Sequence, residues 1–239
     1  MEMELIASES AARRKNVDYL YKTLCGPVDM AGGKATVFDD GTRCVFKASV
    51  PDGSADFIRR GLEDKIADII AVNYKYEYFL RHVKPAGLKD IEYDILLSAL
   101  IAADIEEDKR YVTKMLACPY AIDGSFVFTM KPLKKKWSEI AGYVPNYFCY
   151  EQLKDFVSYI VDEKKNRRVY VAGNGVFDGR YNKLIRADLA GGGEINVVKE
   201  IILSSSGEVE LDCKLSEKEE FYLKDFFGDK IFFRKGYFS

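Results

Sequence analysis

The chain has 239 residues, 48% of them hydrophobic, 13% aromatic and 31% charged, with a formal net charge of -2 and a pI near 5.7. This is the composition of an ordinary folded protein with room for one large or two small domains, and its charge balance excludes a broadly basic nucleic-acid or membrane surface. Five scattered cysteines, Cys25, Cys44, Cys118, Cys149 and Cys213, never reach the paired spacing of structural zinc sites, so a reduced cytoplasmic chain is expected.

The first residues carry no apolar core of the signal-peptide kind, and the apolar run from Ile95 to Ala103 is interrupted by Ser98 and too short for a bilayer. Leu5, Ile6, Ala12, Val17, Leu20 and Leu24 predict an N-terminal helix over 5–24, stopped by Gly26-Pro27. Two β-prone runs, Lys34 to Phe38 and Thr42 to Val50, flank Asp39-Asp40-Gly41 and predict a hairpin. Phe57, Ile58, Leu62, Ile66, Ile69 and Ile70 then hold one face of a helix, and the aromatic-rich stretch Asn73 to Leu80 suggests a helix running between neighbours. The clearest amphipathic pattern is Leu88, Ile91, Ile95, Leu96, Ala99, Leu100 and Ala103. A bend near Ile105 leads into the charged interval Glu106 to Arg110 and a further helical stretch to Leu116.

The run from Ile122 to Trp137 holds the only Trp of the chain. Phe126 and Phe128 alternate as in a strand, and Pro132 opens a helix with Leu133, Trp137 and Ile140 on one side. Cys149, Leu153, Phe156, Val157 and Ile160 mark the last long helix, which ends near Asn166. Beyond Arg167 the period changes to short strands at Val169 to Val171, Tyr181 to Ile185, Glu208 to Asp212 and Lys230 to Phe233. Helices interrupt them at Ile195 to Leu203 and after the capping box Ser216 to Glu219. The expectation is an α+β protein: an N-terminal helix and β-hairpin over 1–52, a mainly helical region over 53–166, and a small mixed α/β sheet layer over 167–239 packed against the helical middle.

Candidate chemistry is sparse. His82 is the sole histidine, with no nucleophile motif beside it, and reads as structural or exposed. Gly191-Gly192-Gly193 precedes a helix and could offer amides to an anion, but lacks the Lys-Ser/Thr of a phosphate loop and reads as a connector. Gly173-Asn174-Gly175 has the wrong glycine spacing for a dinucleotide loop. Carboxylates such as Asp39-Asp40, Glu106-Glu107-Asp108 and Asp188 show no acid/base pairing and read as surface. The most concentrated positive charge is Lys131, Lys134, Lys135 and Lys136, with Lys164, Lys165, Arg167 and Arg168 further on. These are the candidate contacts for a partner or a phosphate backbone, with Tyr143, Tyr147 and Phe148 between them to stack on bases. The run Gly124-Ser125-Phe126-Val127-Phe128 resembles an RNA-binding strand motif, but Asp123 stands where that motif has a basic residue.

One resemblance adds context. The order Asp123-Gly124-Ser125-Phe126-Val127-Phe128-Thr129-Met130-Lys131, a helix such as Val197 to Leu203, and a closing Phe226-Phe227-Gly228-Asp229-Lys230-Ile231 resembles the YtxC-like family of sporulation-associated proteins, over about residues 54–235. The resemblance implies a protein of spore-forming or related bacteria and supplies no catalytic residues. Together these readings lead to a cytoplasmic, non-enzymatic protein acting through protein contacts, with no cofactor, no metal and no membrane partner. Nucleic-acid binding through the two basic clusters is the alternative, followed by an enzyme whose site is assembled from dispersed carboxylates.

Overall fold

In the computed structural model, residues 2–163, 167–173 and 175–234 are described, with the backbone alone for Phe128. The protein is α+β, as expected, and divides into two compact units that do not follow chain order: Met1–Lys75 with Glu106–Ser138, and Tyr76–Ile105 with Glu139–Ser239.

The first unit is built on a four-stranded sheet of order β2-β3-β1-β4. β1 (Glu2–Ser10) and β3 (Arg43–Pro51) are antiparallel along their full length, from Glu2 opposite Pro51 to Ser10 opposite Arg43. β2 (Lys34–Asp39) forms the expected hairpin with β3, and β4 (Tyr120–Ala121) lies parallel to β1. The side chains of Asp39 and Asp40 close the hairpin turn by accepting from the amides of Gly41, Thr42 and Arg43. Leu5, Ala7 and Glu9 point inward from β1, opposite Ala48, Phe46 and Cys44, and all six are buried.

Three elements of this unit differ from the sequence expectation. Residues 2–10 form a strand, because Leu5, Ala7 and Glu9 alternate on the sheet's inner face, and helix α1 (Arg14–Met30) begins only afterwards. Pro27 does not end that helix: it lies in the final turn, where its missing N–H forfeits one bond, and Ala31 closes back on Pro27 O at 3.1 Å. The Phe126 segment is helix α6 (Ile122–Thr129) rather than a strand, since Ile122, Phe126 and Met130 recur four apart, with Ile122 and Met130 buried. The Phe126 ring lies 4.4 Å from the Tyr74 ring and 5.6 Å from that of Trp137.

Helix α2 (Asp52–Asp68) continues through a π-helical segment, Ile69–Tyr74, into α3 (Lys75–His82). All six residues of the π segment are buried. Helices α5 (Ile105–Met115) and α7 (Lys131–Tyr143) supply the remaining charged and aromatic partners of this unit through Glu106–Ser138.

The second unit carries a five-stranded sheet of order β7-β6-β5-β8-β9, comprising β5 (Arg168–Ala172), β6 (Gly175–Phe177), β7 (Lys183–Leu184), β8 (Glu208–Leu211) and β9 (Ile231–Phe233). β5, β8 and β9 are mutually parallel, and β6 and β7 are added antiparallel. Val169, Val171, Val176, Val209 and Leu211 form its buried face. Helices α4 (Asp90–Ala102), α8 (Tyr150–Glu163), α9 (Arg186–Leu189), α10 (Asn196–Leu203) and α11 (Glu217–Phe227) complete the unit. The amphipathic pattern expected of α4 understates its burial, for every residue from Ile95 to Ala102 is buried. Ser216 caps α11 in the expected box with Glu219.

Candidate functional site

Three of the predicted basic contacts, Lys134, Lys136 and Arg168, are engaged within the protein. On α7, Leu133 and Trp137 take the buried face. Lys134 Nζ sits 4.5 Å over the Phe126 ring, and Lys136 Nζ reaches Glu107 Oε2 at 2.8 Å and Asp108 Oδ1 at 2.9 Å. Lys131 and Lys135 are exposed. Arg168 donates to Glu208 Oε2 at 2.7 and 2.9 Å and lies over the Phe232 ring, while the carbonyl of Arg167 accepts from the amides of Gly207 and Glu208. Lys164 and Lys165 lie outside the described residues. The α7 lysines belong to the first unit, and Arg167 and Arg168 to the second. A phosphate approaching Lys136 or Arg168 would displace an existing carboxylate.

The first unit buries several polar clusters, and one of their members, Asp108, was expected at the surface. Asp108 and Lys75 form an ion pair at 2.7 Å with both side chains fully buried, and the Trp137 indole donates to the same Asp108 oxygen at 2.9 Å. Lys109 bridges Asp64 and Asp68 at 2.8 Å each, and the Tyr19 hydroxyl donates to Asp68 at 2.9 Å. Glu9 accepts from Tyr74 at 2.8 Å and from Asn16 at 3.1 Å. Burial pushes the Glu9 carboxyl above its ordinary value against the opposing effect of these hydrogen bonds, and pushes the Tyr74 phenol up as well. The charged interval 106–110 gave no hint of this, because the partners of Asp108 are 28 or more positions away.

The triple-glycine turn also departs from the anion-binding geometry. Gly191, Gly192 and Gly193 all have positive φ, at 86°, 63° and 124°. The turn presents carbonyls to a cation: Lys199, fully buried, donates to Ala190 O at 2.7 Å and Gly192 O at 2.8 Å. Asp94 lies 3.8 Å from the same ammonium, and burial lowers the Lys199 pKa against the opposing pull of that carboxylate. A connector is therefore pinned by an ion of its own chain. His82 is exposed, stacked on Tyr78 at 4.1 Å. Among the described residues no group of three or more His, Cys, Asp or Glu side chains is placed to hold a metal ion, and no helix is long and apolar enough to cross a membrane.

The second unit carries an apolar groove. Its volume is about 400 Å³, within the usual range for ligand pockets. Leu96, Leu100 and Ala103 from α4 form one wall, with Ile140, Tyr143 and Val144 at the end of α7, Pro145 and Phe148 after it, and Phe156 from α8. Asp104 is the one charged lining residue. Tyr143 is 86% exposed and Tyr147 is 64% exposed. Two of the three aromatics expected to stack on bases thus line an apolar groove. Its other half was legible in the sequence only as the core-facing side of α4.

No family model, curated protein or solved structure matches this chain.

The groove therefore speaks through its own chemistry. Hydrocarbon and aromatic walls with a single carboxylate provide hydrophobic contact and few directed hydrogen bonds.

Proposed function

We propose that the protein is a binding module of the bacterial cytoplasm, without catalytic activity, that receives apolar side chains of a partner protein in the groove of its second unit. The groove of about 400 Å³ between α4, the end of α7 and α8 carries this reading. Each Leu- or Phe-sized side chain it buries would contribute about 1.5–3 kcal/mol, and exposed tyrosines such as Tyr143 are the residue type that anchors protein interfaces. Phosphate-backbone binding is the weaker reading, since Lys136 and Arg168 already hold carboxylates.

The test is selection of peptides from a displayed library on the full chain, with Tyr143→Glu, at an exposed lining residue, as the counter-selected variant. Enrichment of apolar peptides that bind the parent and not Tyr143→Glu or Phe148→Ala supports the proposal; enrichment insensitive to both variants, or none at all, overturns it. The sporulation setting implied by the YtxC-like resemblance belongs to the same proposal, and spore yield in a strain lacking the gene tests it.

A further inference from the structure

The outward face of the five-stranded sheet carries a second cavity of different chemistry. Strand register sets Lys183, Phe177, Tyr170, Glu210 and Phe232 in one row across β7, β6, β5, β8 and β9. Beside this row is a cavity of about 220 Å³, whose lining includes Tyr170, Phe177, Tyr181, Glu210, Asp212 and Arg234. The rings of Tyr170 and Tyr181 are stacked, with centroids 5.1 Å apart and planes inclined by 23°.

Tyr181 is held there against its backbone preference. Its φ of 61° is in the left-handed region, which a bulky residue rarely adopts. The turn is fixed by Asp178, whose carboxylate accepts from the amides of Arg180 at 2.8 Å and Asn182 at 2.9 Å and from Asn182 Nδ2 at 3.0 Å. The Tyr181 amide in turn donates to Asp178 O at 2.9 Å. A ring 65% exposed to solvent is thereby positioned before anything binds.

The two lining carboxylates have only long ionic contacts. Glu210 is reached by Arg168 only at 3.5 Å, because that guanidinium makes its short hydrogen bonds to Glu208 at 2.7 and 2.9 Å. Asp212 is reached by Arg234, also at 3.5 Å. Both separations exceed the 2.7–2.9 Å of a close charge-assisted hydrogen bond, so neither carboxylate is saturated. The lining holds two carboxylates and one arginine, with Arg168 and Lys183 beside it, and its aromatic faces attract cations. An anion would meet both carboxylates, and a neutral ring would gain only stacking. We propose that this cavity binds an organic cation, an alkylammonium group seated against Tyr170 and Tyr181 with Glu210 and Asp212 as counter-charges.

The full chain titrated with tetramethylammonium, with choline and with Nα-acetyl-lysine methylamide, followed by the tyrosine ring resonances, tests this. Saturable binding with upfield shifts of the ligand methyl or methylene protons is expected. Glu210→Gln and Tyr181→Ala should each weaken it about threefold to fivefold, the scale of one exposed cation–π or ionic contact. Asp178→Ala should weaken it similarly without changing any lining charge. Arg234→Ala should tighten binding, since it removes the competing cation, whereas an anion site would weaken. Preference for the quaternary ligands assigns the group to a free small molecule, and preference for the lysine amide assigns it to a peptide side chain. No saturable shift at roughly 50 mM of any ligand, or weaker binding by Arg234→Ala, overturns the proposal.

Discussion

Replacing Asp108 with Ala removes the counter-ion that Lys75 holds at 2.7 Å, with both side chains fully buried. Loss of one partner of a buried pair costs about 3–5 kcal/mol. The same oxygen accepts the Trp137 indole N–H at 2.9 Å, and a buried donor deprived of its acceptor costs about 1–3 kcal/mol. These penalties overlap because one atom serves both donors, so the expected loss is about 4 kcal/mol rather than their sum. In urea, with a slope of roughly 2 kcal/mol/M, the midpoint should fall by about 2 M. Trp137 is the only Trp of the chain and is fully buried, so its fluorescence reports this unit directly. Lys136, 30% exposed, is paired to the other Asp108 oxygen, and Lys136→Ala should cost under about 1 kcal/mol. The double variant Lys75→Met/Asp108→Leu, which removes both charges, should recover the ion-pair share of the loss and keep the cost of the indole N–H without its Asp108 acceptor. An Asp108→Ala midpoint within about 0.5 M of the parent, or a double variant as unstable as the single one, would refute the reasoning.

Glu9 supplies a pH test. Its carboxyl is raised above the ordinary 4.5 by burial, so the folded chain holds this proton more tightly than the unfolded chain. That contribution is fully present below pH 4.5 and is lost as pH rises through the raised value; denaturation from pH 4 to 8 should therefore show Glu9→Gln gaining on the parent as pH increases. Gly191→Ala places a Cβ 2.7 Å from Tyr76 Oη at a φ of 86° and should cost about 2 kcal/mol by urea unfolding followed by circular dichroism. Ser216→Ala removes the oxygen that accepts from the Glu219 amide at 3.3 Å and should cost about 1 kcal/mol, with faster hydrogen exchange in the first turn of α11.

Where local chemistry decides structure, the sequence was a good guide. The β2–β3 hairpin follows from Asp39-Asp40-Gly41, and α11 from its capping box, because the deciding hydrogen bonds run over two or three residues. β1 was hidden because its third inward residue is Glu9, whose burial depends on Tyr74, 65 positions away. α6 was misread because two phenylalanines two apart suit a strand as well as a helix, and only contact with Tyr74 and Trp137 shows where Phe126 lies. Asp108 looked solvated among Glu106 and Glu107 because its partner Lys75 is 33 residues away. The groove was invisible for the opposite reason: its α4 wall is made of Leu96 and Leu100, which are buried and carry the pattern of any core-facing helix.

The π segment Ile69–Tyr74 has a consequence for how this long helix can change. Neighbouring residues of α5 find partners on either side of it, Lys109 with Asp68 before and Asp108 with Lys75 after. A π turn contains one residue more than α-helical spacing needs, so it sets the rotational phase between the two halves. Deleting one residue there would restore an ordinary helix yet swing Lys75 by about 100° away from Asp108. The extra residue thus keeps both ion pairs in register, and a one-residue deletion within 69–74 should cost the Lys75–Asp108 pair.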